Sequence, residues 1–264
     1  MISEKTESNE QQAKPASLHI ATYNIHKGFS QFNRQMMVHE LRDRLRHLNP
    51  DIVFLQEVQG LHLGHADNHD NWPSSPQHEF LAEETWQASA YGCNMVYDHG
   101  HHGNAILSRF PILHSHNQDV THLQFEKRGM LHCRIELPKG PAVHCVCVHL
   151  SLFGYSRRKQ MSALANYLDK LAEPNAQLII AGDFNDWRNQ AGDQLTRSLG
   201  LREVFSNHRG TPVRSFPAAL PMFRLDRIYV RGFEVSHTEV HHGQPWSSIS
   251  DHAALSAHLT RHGS

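Results

Sequence analysis

The chain has 264 residues, 39% of them hydrophobic, and a formal net charge of -1 with its 24 histidines counted as neutral. That balance gives no overall electrostatic case for unselective nucleic-acid binding, no run approaches the roughly 18 apolar residues of a membrane span, and four cysteines are too few for a disulfide scaffold. The composition points to a soluble, cytoplasmic protein with reduced thiols, whose scattered histidines turn the net charge positive as pH falls toward 6.

Residues 1–17 are polar, lack the apolar core of a signal peptide, and are expected to be a tail outside a single domain spanning 18–264. Residues 18–23 read as a first buried strand that ends at Asn24. Across 35–48, Met37, Leu41, Leu45 and Leu48 recur at helical spacing until Asn49-Pro50 stops the helix. Residues 51–58 form a second buried strand, and Glu57 near its end requires a partner or a metal, because a bare charge in so apolar a run is costly. A long polar loop over 60–77, a helix over 79–91 and a glycine turn with a short strand ending at Arg109 follow. His101 and His102 read as exposed loop histidines.

Residues 131–137 and 143–150 read as an antiparallel pair turned at 138–141, with Cys145 and Cys147 on one face and His149 at the end. Arg157, Arg158 and Lys159 then open a helix carrying Met161, Leu164, Leu168 and Leu171. A basic triplet there opposes the helix dipole and is relieved by an anion or by water. In 177–187 an apolar run stops at Gly182, and Asp183 and Asn185 leave the strand tip on the same side. A carboxylate beside a carboxamide suits hydrolysis, one activating water and the other holding a phosphoryl oxygen. A turn built from Gly, Asp and Asn reads the same way. A weak element at 201–205 and a loop over 208–223 with Arg209 and Arg214 precede a strand at 225–230 bearing Asp226. Ser250-Asp251-His252 introduces the last strand, 253–259.

Asn24, Glu57, His149, Asp183, Asn185, Asp226, Asp251 and His252 are thus polar residues beside buried strands. Eight such strand ends suggest one ring around one site, drawn from both ends of the chain.

The blocks YN at 23–24, LQEV at 55–58, VHL at 148–150, GDFN at 182–185, LDRI at 225–228 and SDH at 250–252 resemble, in that order, those of the endonuclease/exonuclease/phosphatase superfamily. That superfamily includes DNase I, exonuclease III-type repair enzymes, neutral sphingomyelinases and inositol polyphosphate 5-phosphatases. The longer blocks YNIHKGF, HHGNAILSRFP, AGDFNDW and RLDRIYV resemble a bacterial branch often encoded beside cardiolipin synthase. The resemblance implies an α/β fold, a four-layered sandwich of two packed mixed sheets flanked by helices, and a Mg²⁺- or Mn²⁺-dependent phosphoester hydrolase. It makes Glu57 the principal metal ligand, with Asn24 and Asp251 in support. Asp183 orients or deprotonates water, Asn185 holds a non-bridging oxygen, and His252, steered by Asp226, acts in acid–base catalysis. His149 hydrogen-bonds the phosphate or protonates the leaving oxygen. Histidine at 149 departs from exonuclease III-type enzymes, and Phe223-Arg224-Leu225 lacks the tryptophan block of the inositol phosphatases. A phospholipid head group or small diester is the expected substrate, and nucleic acid, followed by Arg157, Arg158, Lys159, Arg209 and Arg214, the alternative. Arg109 is a further substrate-binding candidate.

Overall fold

A strand that is apolar on both faces must be covered on both sides, and the buried runs at 52–55, 145–148 and 178–181 are of this kind. The computed structural model describes residues 17–31, 34–62, 64, 71–171, 173, 175–188 and 192–261. Its strands are β1 (Ser17–Asn24), β2 (Ile52–His62), β3 (Ala88–Tyr97), β4 (Gly100–Ser108), β5 (Ile112–Asp119), β6 (Gly129–Ile135), β7 (Val143–His149), β8 (Leu178–Asp183), β9 (Arg202–Glu203), β10 (Asp226–Arg231), β11 (Phe233–His241) and β12 (Ala254–Arg261). They form two six-stranded sheets, ordered β11-β12-β1-β2-β4-β3 and β5-β6-β7-β8-β10-β9. Both are mixed: β1 pairs β2 in parallel and β12 antiparallel, while β7 pairs β8 in parallel and β6 antiparallel.

Alternation along each strand builds the layers. Ile52 and Phe54 meet Cys145, Cys147, Ile179 and Ala181 between the sheets. Val53 and Leu55 turn outward under Val38, Leu41 and Leu45 of α1 (Val38–Leu48). On the other side Val146, Val148 and Ile180 lie under Met161, Leu164 and Leu168, on the helix Gly154–Leu171. The result is the four-layered α/β sandwich that the motifs implied. All four cysteines are free, and burial raises the thiol pKa of Cys145 and Cys147, which share the inner face.

Several elements differ from expectation. The tail assigned to 1–17 lies outside the described residues except for Ser17, which already pairs with Thr260. β2 runs on to His62, shortening the loop that follows. The helix expected over 79–91 is only α2 (Gln77–Ala82), because Glu84 turns left-handed (φ 64°) and the chain re-enters the sheet as β3. β5 and β11 lie where no strand was expected, and α4 (Gly192–Leu199) where no helix was. The helix carrying the basic triplet is then α3. Residues 204–209, split between the weak element and the loop, form the short helix α5 (Val204–Arg209). His101 and His102 are half-buried on β4 rather than in an exposed loop.

The histidines also charge less readily than their number implies. Burial pulls His19, His102 and His132 down to about 4 and lowers His62, His78, His144 and His241 as well, so the positive charge gained by pH 6 is smaller than composition suggests.

Gly182 sets the spacing of β7 and β8. Its φ is +146°, and a Cβ there would stand 2.0 Å from the Val148 carbonyl oxygen. Gly182→Ala should therefore cost about 3 kcal/mol or more, overpacking and backbone strain together. Urea unfolding would reveal this as a lowered midpoint with an unchanged m-value, and an unchanged midpoint would refute the close approach.

Candidate active site

Register brings the motif residues to one level. β7 pairs His149 with Asp183, and β8 pairs Asp183 with Asp226, so three adjacent strands present one residue each side by side. In the facing sheet Asn24 pairs with Gln56, and Glu57 follows within a bulge that shifts the register between Leu55 and Val58. The bulge holds Glu57 at φ 56°, which re-aims its side chain relative to a regular strand. Ser250 ties the last loop to β1 by donating its hydroxyl to the Asn24 carbonyl (2.7 Å), and accepts the His252 N–H (3.2 Å).

Asp183 is the hub. Its Oδ1 accepts the Asn185 backbone N–H at 2.9 Å, an Asx turn that holds Asn185 left-handed at φ 50°. Its Oδ2 faces the site, 3.2 Å from Asn24 Nδ2, 3.5 Å from His149 Nε2 and 3.8 Å from His252 Nε2. The turn reading of GDFN thus accounts for one oxygen, and the other is left facing the histidines. Asn185 donates one amide hydrogen to Leu150 O (2.9 Å) and keeps a second for a ligand.

The two histidines differ in charge. Burial alone would drive the proton off His252, but Asp226 Oδ2 at 2.9 Å from its Nδ1, with Asp183 and Asp251 nearby, raises it to about 10. Burial takes His149 the other way, well below the usual range, helped by the fields of Arg128, His252 and Lys27. His149 is thus neutral. Burial raises Asp183 to about 6, against the opposing pull of His252.

The sequence profile of the endonuclease/exonuclease/phosphatase family matches residues 21–252. The chain belongs to that family. It is 46% identical over 249 residues to the uncharacterized protein YbhP of Escherichia coli K12, covering 94% of this chain and 98% of that one. The fold is shared with an endonuclease/exonuclease/phosphatase from Beutenbergia cavernae (TM-score 0.74, 18% identity, 94% of this chain and 72% of the other). It is shared equally with the mannosyl-6-phosphatase Bt3783 of Bacteroides thetaiotaomicron (0.69, 15%, 92% and 99%).

Endonuclease/exonuclease/phosphatase proteins hydrolyse phosphoester bonds and generally depend on a divalent metal. The residues here fit a hard cation. The Glu57 carboxylate meets, among the described residues, only the Asn24 amide at 3.3 Å. Asp251 lies 3.3 Å from His26 Nδ1, and that hydrogen bond, with Glu57 adding its field, raises the His26 pKa. Two carboxylates therefore flank a position that already favours positive charge. Asn24 contributes less directly, since its Oδ1 accepts the His26 N–H (3.2 Å). Asp183, Asp226 and His252 also offer ligand atoms within 4.8 Å of one another. His252 is protonated there, however, and an imidazolium has no lone pair to give.

The arginines divide. Ser108 pairs with Ile52, so Arg109 lies at the end of the sheet away from Glu57, with its guanidinium on Asn49. The antiparallel run of β4 carries it there. Arg157 is buried and spends its Nη1 on the carbonyls of Ser151 (2.9 Å) and Leu152 (3.2 Å), shaping the loop after β7. It is 3.9 Å from Asp186, which also answers the charge at the helix start. Arg158 and Arg214 are exposed, the latter beside Ser215, whose hydroxyl accepts the Asp226 N–H (3.1 Å). The Arg209 side chain lies outside the described residues. The cations whose fields reach His149 are instead Lys27, inside the YNIHKGF block but not singled out there, and Arg128, which lies in no quoted block.

The His252–Asp226 pair should be visible in solution. A histidine raised from 6.5 to about 10 contributes stability that is complete below pH 6.5 and is lost as pH rises toward 10. By imidazole NMR in chelator, His252 should remain an imidazolium at pH 8, and Asp226→Asn should make it titrate at or below neutrality. A neutral His252 in the wild type at pH 8 would remove the basis for its assigned charge.

Proposed function

We propose that the chain is a Mg²⁺- or Mn²⁺-dependent phosphodiesterase that cleaves a small diester or phospholipid head group by in-line attack of water. The observation that carries this reading is one buried carboxylate flanked by two histidines of opposite charge state. Asp183, raised toward neutrality yet ionised at pH 7, accepts a proton from the attacking water. His252 places an imidazolium beside the phosphoryl oxygens, and Asp226 keeps that proton on the ring as charge develops. Neutral His149 and the second Asn185 amide hydrogen donate to a non-bridging or leaving oxygen. Lys27 and Arg128 add positive field on the same side. A cation held by Glu57, with Asp251 and Asn24 beside it, would supply Lewis-acid stabilisation of the phosphoryl charge. The preference for a diester rests on the resemblance to the bacterial branch and is the finest part of the proposal.

Turnover of an aryl phosphodiester, an aryl phosphomonoester, plasmid DNA, RNA and a cardiolipin–phosphatidylglycerol mixture, with Mg²⁺, Mn²⁺ or chelator, tests it. Metal-dependent diester cleavage is expected, with Glu57→Gln inactive and His252→Ala reduced in kcat by about 10²- to 10⁴-fold. Turnover in chelator, full activity of Glu57→Gln, or a preference for the monoester would each overturn the proposal.

A further inference from the structure

Eleven large apolar side chains are exposed among the described residues, and ten of them lie at the edge of the sheets that carries Glu57 and Asp183. Register puts them there. His62 pairs with Gly100, so the end of β2 and the β3–β4 hairpin project beyond Glu57, bearing Leu61 and Val96. Asp119 pairs with Gly129 and Met130 with Val148, so the β5–β6 turn projects beyond His149. Phe125 on that turn is 70% exposed and meets Phe153 edge-on at 5.9 Å. Leu152, Phe153 and Tyr155 follow β7, Trp187 follows β8, and Leu220, Met222 and Phe223 lead into β10. The eleventh, Leu113, is at the start of β5, at the opposite edge.

Single exposed hydrophobes are ordinary, whereas ten gathered at one end of the two sheets mark an interaction surface. Cations are threaded through it. Arg158 and Lys159 approach the Tyr155 ring at 6.0 and 5.7 Å, Arg188 covers Trp187 at 4.7 Å, and Arg214 is exposed. The exposed acids toward this edge among the described loops and strand ends are Asp98, Asp119 and Glu239. A cleft of about 300 Å³, lined by Met95, Phe125, Glu126, Lys127, Arg128 and Phe153, opens at this edge, and one of its residues, Arg128, adds its field at His149.

We infer that this edge docks on an anionic lipid bilayer, with the active site facing the phosphate layer. Amphipathic aromatic rings at the interface, aliphatic side chains dipping below it and basic groups held at head-group level are the chemistry such a surface selects. Single-stranded nucleic acid would engage the same aromatic rings and cations. Leu61, Val96, Leu152, Leu220 and Met222 offer no face on which a base stacks but can enter a hydrocarbon layer, so the observations favour the membrane. Docking is independent of the proposed chemistry, so either can fail without the other.

The test is co-sedimentation of the full chain with phosphatidylcholine vesicles, with and without phosphatidylglycerol, alongside binding to a labelled single-stranded oligonucleotide. The protein should bind the anionic vesicles, more weakly as salt rises. The triple variant Val96→Ser/Phe125→Ser/Leu220→Ser, checked for folding by circular dichroism, should lose roughly tenfold or more of that affinity. Leu113→Ser should bind as the wild type does. Absence of binding to the anionic vesicles, equal loss in Leu113→Ser, or oligonucleotide binding without vesicle binding would overturn the inference, the last in favour of a nucleic-acid face.

Discussion

The buried carboxylate of Asp183 is the constraint on which the site depends. A charge with 2% of its surface exposed is tolerated only if it is answered locally, and the answers come from separate parts of the chain. Asn24 arrives from the facing sheet, His149 from the neighbouring strand, and His252 from the loop before β12. Each of those groups is placed by sheet pairing or sheet packing, so the sandwich core and the electrostatics of the site are one problem. Removing a single partner leaves the others facing an unbalanced charge, typically a cost of about 3–5 kcal/mol for a buried pair. Arg227 adds to this rigidity from below: fully buried, it donates to the Asp226 and Asp186 carbonyls at 3.0 and 3.2 Å and joins the β8 and β10 tips.

Backbone strain is concentrated at the same place. Six described residues other than glycine have positive φ, and two of them, Asn49 and Glu84, follow helices. The remaining four are His26, Lys27, Glu57 and Asn185, all at the site. Left-handed conformations cost on the order of 1–2 kcal/mol each for such residues and persist where the surroundings impose them. Here the imposition is visible, in the Asx turns at Asn24 and Asp183 and the bulge in β2.

Much of this was legible before any coordinates. Buried strands announce themselves by apolar runs, and a polar residue at the end of such a run has few reasons to be there other than chemistry. That is why Asn24, Glu57, His149, Asp183 and Asp226 stood out. What escaped notice did so for physical causes. β11 carries a bulge between Val235 and His237 that breaks its alternation, and β5 is an edge strand with polar residues on both faces. The stop of α2 is a left-handed glutamate, Glu84, where a glycine would have signalled it. Arg109 looked suitable by composition, but strand direction, which no single sequence window encodes, sends it to the wrong edge. Lys27 and Arg128 reach the site from loops, where a basic residue is unremarkable until the fold places it. The clustering of exposed apolar residues is equally invisible in sequence, since they are spread from Leu61 to Phe223 and only register brings them together.

The antiparallel pairing of β1 with β12, from Ser17 opposite Thr260 to Thr22 opposite Leu255, closes almost the whole polypeptide into one loop. Its closure entropy must be met before the pairing returns anything, which favours slow, late assembly. Asn24 and His252 sit just beyond that zipper, so they meet last. A chain lacking β12 can still align His149, Asp183 and Asp226 through β7, β8 and β10, but it lacks the closure that brings Asn24 and His252 from opposite ends of the chain to meet them.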